Sequence, residues 1–451
     1  MDDVLITAAP PGCDISGNFI TCGLNSLAPG ASTDVVIPFI VPSNAAQQIS
    51  VASELDLYVD QMDLTESNKL IINTPLVFAA DLIIGGQASD ELVDDPDDVL
   101  GDGICEGENT GACNIRAAVM EANATAAIES IALGNAVFSL STSDPSSSDS
   151  AYGDLDIESD LTITGNGPEQ TFIDAAGIDR VFDISPGATL TLSGLSVVGG
   201  LTNDQGGPDG AGIRIQNGGQ LVLQQVRIYN NDAEGLGGGI ANLSQASDSL
   251  LIENSVISNN TAMTGAGIYS LGAGSISNST ISTNHAAEGV GGIYQAGSDL
   301  LLNHVTVAGN SGQNTGGIVS GTGGQITLQN SLLTDNDELD CRSDGGSLQS
   351  DGGNVISNGQ SCNITLAAND LLDLDPEIGE LNIQGGTTAT HALRRTSPAR
   401  DQGLASHCTA ADQRGFMRPT DGDGDGIAAC DSGAYEAEEV PLDIIFSSGF
   451  E

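Results

Sequence analysis

Tryptophan is absent from the 451 residues, and all aromatic side chains together make up 3%. Positive charge is almost as scarce. Eleven Lys and Arg stand against 61 Asp and Glu, a formal net charge of −50. Nucleic-acid binding needs a basic footprint, and a surface this acidic repels phosphate. Anionic lipid surfaces are disfavoured for the same reason. No apolar run approaches the ~20 residues of a membrane-spanning helix. There is no Cys-x-x-Cys and no Cys/His set at zinc spacing. A Gly-x-Ser-x-Gly nucleophile elbow is missing as well.

What is present is glycine, 59 residues of it, with many Asn and regularly placed Val, Ile and Leu. This is the composition of turn-rich, all-β structure rather than of disorder. The eight cysteines fall into four close pairs: Cys13 with Cys22, Cys105 with Cys113, Cys341 with Cys362, and Cys408 with Cys430. Eight cysteines allow many connectivities, and pairing with the nearest partner is the simplest. Disulfides at this number indicate an oxidising compartment. No signal peptide is visible, since Met1-Asp2-Asp3 opens with acid where a basic region belongs. The expectation is an exported chain with sequence upstream of Met1.

Residues 1–84 alternate apolar and polar in short runs separated by Pro, Gly, Ser and Asn, which reads as a small β-sandwich. Residues 85–135 read as an acidic linker and an N-terminal cap. Within it Ile115, Ala118, Val119 and Ala122 recur on one helical face, with Asn114 as N-cap, predicting a helix over 114–124. Six segments then align, beginning at Ala188, Gly219, Asp248, Gly272, Ser298 and Gly324. Their fifth position is always aliphatic (Leu192, Leu223, Ile252, Ile276, Leu302, Leu328), and so is their tenth (Val197, Ile228, Ile257, Ile281, Val307, Leu333). A third register holds Ile213, Ile240, Ile268, Ile293 and Ile318. From the second segment on, the thirteenth position is Asn: 231, 260, 284, 310 and 336. Successive fifth positions lie 31, 29, 24, 26 and 26 residues apart.

Three short strands in a period near 26 make one coil of a right-handed parallel β-helix. Asn254, Asn278 and Asn330 at the seventh position suit a left-handed corner. Some ten coils are expected over 136–400, stacked at ~4.8 Å each. In that register Val305 and Val307 point inward and Thr306 points outward, where substitution is tolerated. A solenoid has two ends to cover. The helix is placed to lid one, and 401–436 to form a C-terminal cap on the other, followed by a tail, 437–451.

Three motifs carry a family resemblance. The run "GDGIC…GACNIRAAVMEANA" resembles the opening motif of secreted bacterial β-helix proteins. "DQRGFMRPTDGDGDGIAACDSGAYE" resembles their closing motif, Asp-x-Arg-Gly…Arg-Pro…Asp-x-Gly-Ala-Tyr-Glu. With the repeats, residues 86–436 resemble a choice-of-anchor Q domain, similar to polymorphic outer-membrane proteins. Residues 1–84 resemble part of an adhesion-type β-sandwich repeat, and "DIIFSSGFE" a short ending of exported Gram-negative proteins. The resemblance implies a secreted or surface-attached β-helix and carries no agreed catalytic residues.

Candidate chemistry is sparse. Asp421, Asp423 and Asp425 alternate with Gly like the first half of a calcium loop, with Asp431 as a further ligand for Ca²⁺. A second acidic run, Asp94, Asp95, Asp97, Asp98 and Asp102, is irregular. Arg116 is expected as an exposed or capping cation near Glu121. Arg394, Arg395, Arg400, Arg414 and Arg418 are expected to form internal salt bridges near the C-terminal cap. His285 and His304 lack an evident acidic partner and read as surface histidines. The acids within the coils share no register, so the expected function is non-catalytic: adhesion, or binding of polysaccharide or another cell-surface ligand. The alternative is a carbohydrate-active enzyme, a polysaccharide lyase or glycoside hydrolase, on the same scaffold.

Overall fold

The computed structural model describes residues 5–6, 13–16, 19–22, 39–40, 82–84, 92–125, 128–142, 151–202, 207–313, 315–360 and 362–438. The chain divides into two units, Met1–Leu55 and Asp56–Glu451. In the first, Leu5–Ile6 pairs antiparallel with Phe39–Ile40, and Cys13–Ser16 with Phe19–Cys22, setting Cys13 opposite Cys22. Apart from Leu82–Ile84, the rest of the sandwich expected over 1–84 lies outside the described residues, as does the tail beyond 438.

The second unit is a parallel β-helix of about eight turns. Three long ladders of parallel strands run along it, with a fourth, short one of four two-residue strands from Leu201–Thr202 to His285–Ala286. The first passes through Leu161–Thr164, Thr189–Ser193, Gln220–Gln224 and Leu250–Glu253 to Ser347–Gly352. The second runs from Ala136–Ser139 through Arg227–Tyr229 and Val256–Ser258 to Leu371–Leu372. The third has eight strands, from Leu155–Ile157 to Cys341–Asp344. Within the first ladder Leu192, Leu223, Ile252, Ile276, Leu302 and Leu328 stack on one another, each wholly buried. The tenth-position and third-register residues form two further buried stacks. Each coil therefore adds several aliphatic side chains to a continuous core, and no coil could bury them alone.

The corners are as legible as the strands. The seventh-position residues Gln225, Asn254, Asn278, His304 and Asn330 all adopt positive φ between 44° and 55°. At the thirteenth position Asn231, Asn260, Asn284, Asn310 and Asn336 form a buried ladder. Each Nδ2 donates to the next residue's Oδ1 at 2.9–3.0 Å, and the last ends on Asp340 at 2.8 Å. The same oxygens accept the preceding asparagine's backbone N–H, satisfying groups at a turn where strand pairing lapses.

Four features differ from expectation, two of them boundaries. Leu82–Ile84 is a solenoid strand paired parallel with Ser130–Leu133, so the β-helix begins before 85 and not at 136. The parallel coils end near Leu372, not 400, because Ile378–Asn382 turns into an antiparallel pair with Thr390–Leu393. The helix, Ile115–Ala124 with Asn114 accepting from Arg116 N and Ala117 N, does pack on the first coils. It is buried on its outer side too, under the acidic loop that precedes it.

The fourth difference is the largest. Residues 401–436, expected as an end cap, lie with the hairpin before them as a strap along the outer face of the second ladder. Thr388 reaches Asn254, Gln413 reaches Thr280, Ser432 reaches Gly353, and Ala434 N donates to Thr306 Oγ1 at 2.9 Å. Along one outward row, Val256, Thr280, Thr306, Leu332 and Val355 are at most 2% exposed, whereas Val137 at the uncovered end is 48% exposed. Thr306 is thus outward-facing yet buried.

Candidate functional site

Most of the candidate residues turn out to hold the scaffold together. Arg116 is wholly buried, not exposed. Its Nε donates to Asp94 Oδ1 at 2.6 Å, and its Nη atoms donate to the carbonyls of Asp154 and Gly153 at 3.0 and 2.6 Å. Asp94 also accepts from Ser141 N and Thr142 N. Asp95 accepts from Asn109 and Thr110, and Asp97 from Val99 N and Glu106 N. Burial pushes the Asp97 carboxyl up to about 6. Glu121, inside the helix, accepts from Gly101 N and Gly103 N at 2.6 Å. This acidic run is therefore a folded loop whose carboxylates serve its own backbone, and Cys105–Cys113 ties it to the helix start.

The closing motif is likewise internal. Arg414 pairs with Asp412 and lies between the rings of Phe416 and Tyr435. Arg418 donates to the carbonyls of Asp431 and Gly433 and pairs with Glu436 at 3.5 Å. Arg400 instead bonds carbonyl oxygens, and Arg394 and Arg395 are exposed. His304, expected at the surface, is fully buried between Asn330 of the next coil and Arg418 of the strap; His285 is exposed and bonds Ser311.

The calcium-loop residues are only partly brought together. Asp421 accepts from Gly424 N and Gly426 N, Asp423 from Asp425 N, and Asp425 from Ile427 N. Asp401, Asp421 and Asp423 have carboxylate oxygens within 4.8 Å of one another. The carboxylate that lies beside Asp421 and Asp423 is thus Asp401, not Asp431. Asp431 is wholly buried, accepting from Asp401 N and Ala437 N, and burial beside Glu436 pushes it up to about 8. Cys341–Cys362 and Cys408–Cys430 are disulfides, as paired above.

The outer row of the third ladder is where distinctive chemistry gathers. Asp156, Asp183, Arg214, Ala241, Tyr269 and Tyr294 succeed one another in strict register. The two half-buried tyrosines, two of only six in the chain, pack with ring centroids 5.5 Å apart and planes tilted by 52°. Asp183 is paired with Arg214 and accepts from Gln216 Nε2 at 2.8 Å. Asp154, Asp156 and Asp183 have oxygens within 4.8 Å of one another, and Arg180 bridges to Asp154 at 3.0 Å. Burial, reinforced by Asp183, raises Asp156 to about 7; Asp154 is raised by burial to about 8. The sequence reading missed this cluster because Asp156 and Asp183 lie in coils before the aligned repeats.

These features define a parallel β-helix protein with a C-terminal strap and a mixed aromatic and charged outer strip. No family model, curated protein or solved structure matches the chain. No helix of the described residues is long and apolar enough to cross a membrane.

Proposed function

We propose that this is a secreted or cell-surface β-helix of the choice-of-anchor Q type from a Gram-negative bacterium, and that it binds polysaccharide without catalysis. The carrying observation is the outer strip of the third ladder. A pair of half-buried tyrosines, tilted at 52° to each other, offers apolar ring faces, which suit sugar faces, and the partly exposed Arg214, held by the buried Asp183, stands in line with it to donate to hydroxyls. In a chain with 3% aromatics, two tyrosines in adjacent coils at one register make a platform. The second ladder offers no such face where the strap covers it.

A glycan array probed with the full chain tests this. Binding of one or more polysaccharides, weakened tenfold or more by Tyr294→Ala with the fold intact, is the expected result. Binding unchanged in both Tyr269→Ala and Tyr294→Ala would overturn it.

A second reading, a carbohydrate-active enzyme, is favoured by one observation: Asp156 and Asp183 are stacked neighbours on this strip. A carboxyl raised to about 7 beside an arginine-paired carboxylate has the form of an acid/base pair. Reducing ends released from a bound polysaccharide, and lost in Asp156→Asn, would replace the binding reading with this one. We also propose Ca²⁺ at Asp401, Asp421 and Asp423, supported by their mutual approach on an exposed turn.

A further inference from the structure

His304 occupies the seventh-position corner of its coil at φ 54°. Other coils place Gln225, Asn254, Asn278 and Asn330 at that corner, with the same sign of φ. The backbone therefore does not demand histidine here. Its ring lies wholly buried beneath the strap, one nitrogen against Arg418 Nη1 and the other 3.1 Å from Asn330 Nδ2. Asn330 is fixed in orientation, because Leu404 N donates to its Oδ1 at 2.7 Å and Leu404 O accepts from its Nδ2 at 3.0 Å. Arginine only donates. Arg418 Nη1 and Asn330 Nδ2 are both donors, so an imidazolium, which donates from both nitrogens, suits neither contact; the backbone carbonyls of Gly433, Asp431 and His407 near the ring favour the charged form, but burial and Arg418 outweigh them.

Of the charged groups, Arg418 faces the ring directly and opposes a second positive charge, while Asp412, Asp431 and Glu436 gather round that guanidinium; His407 meets the ring through its backbone. The disulfide Cys408–Cys430 lies within 4.8 Å of the ring. The coils on either side present the neutral Asn278 and Asn330 at this corner. We propose that His304 is an acid-sensitive latch: on taking up a proton it releases the strap from the second ladder and uncovers the row through Val256, Thr280, Thr306 and Leu332.

Burial and the Arg418 charge hold the docked imidazole well below its ordinary value. The released ring titrates near 6.5, so docking loses stability as pH falls through that value. His391, buried against Ser282 at the strap's other arm, is also lowered by burial and acts in the same sense. Asp431 and Glu436 are raised, so their protonation favours docking as pH falls. Those opposing groups are unaltered when only His304 is changed, so the imidazole's share is the difference between wild type and variant.

The test is hydrogen exchange at two amides that join strap to solenoid, Gly433 N to Asn330 O at 2.8 Å and Ala434 N to Thr306 Oγ1 at 2.9 Å. Protection factors, corrected for intrinsic rates, are compared at pH 7 and pH 5 in the wild type, His304→Asn and His304→Gln. Asn and Gln already stand at this corner in other coils, so both variants keep its geometry. The expected result is that the wild type loses about 20-fold more protection than either variant between the two pH values. An equal change in wild type and both variants overturns the latch, as does a wild type that loses none.

Discussion

Inside the coils, single residues have one job each, and the neighbouring coil enforces it. Leu302 stacks between Ile276 and Leu328 with no exposure. Leu302→Asp puts an unpaired carboxylate into that stack and should cost several kcal/mol, read as a lowered urea midpoint. Thr306 is the instructive contrast. Period-two alternation turns it outward, and on an open sheet Thr306→Asp would be nearly neutral. Its hydroxyl instead accepts Ala434 N beneath the strap, so the substitution should cost about 1–3 kcal/mol and lower protection at Ala434. A neutral Thr306→Asp would mean the strap does not rest there. The asparagine ladder makes the same point for polar residues, since its side chains bond only because each coil repeats the one below.

At the scale of elements, the N-terminal helix shows how a lid is locked rather than merely laid on. A ten-residue helix is marginal alone, and this one has Ala117, Ala118 and Ala122 against the first coils, where small side chains allow close approach. Arg116 then joins helix, acidic loop and solenoid through Asp94, Asp154 O and Gly153 O. Arg116→Met leaves Asp94 buried without its counter-charge, and a loss of about 3–5 kcal/mol is expected. Adding Asp94→Leu should recover part of that loss in a double-mutant cycle followed by chemical denaturation. Additive losses would show that the pair does not interact.

For the whole molecule, charge is the dominant fact. A net −50 pushes the folded chain apart, and any bound cation offsets it. Ca²⁺ at Asp401, Asp421 and Asp423 would hold the strap's exposed turn to the segment that begins it. Millimolar Ca²⁺ should therefore raise the melting temperature, chelator should lower it, and Asp423→Ala should remove most of the difference. Monovalent salt screens the same repulsion, so the comparison belongs at matched ionic strength. Identical melting with Ca²⁺ and chelator would leave the turn as a solvated acidic loop.

The repeat was determined by sequence alone. Aliphatic residues at fixed offsets, with Asn or Gly at the corners, admit one stacking, and Leu192 through Leu328 stand in the predicted ladder. The helix from Ile115 was equally legible, because its cap and apolar face are local signals. Local patterns could not reveal what is brought together across large separations. Arg116 meets Asp154 O across 38 residues, Thr306 meets Ala434 across 128, and His304 meets Arg418 across 114. Asp156 and Asp183 share an outer row although 27 residues separate them in sequence, because the coil length between them sets the register. Periodicity fixes which side of a strand a residue faces. Only the path of the rest of the chain decides whether that side meets water, a counter-charge or the strap.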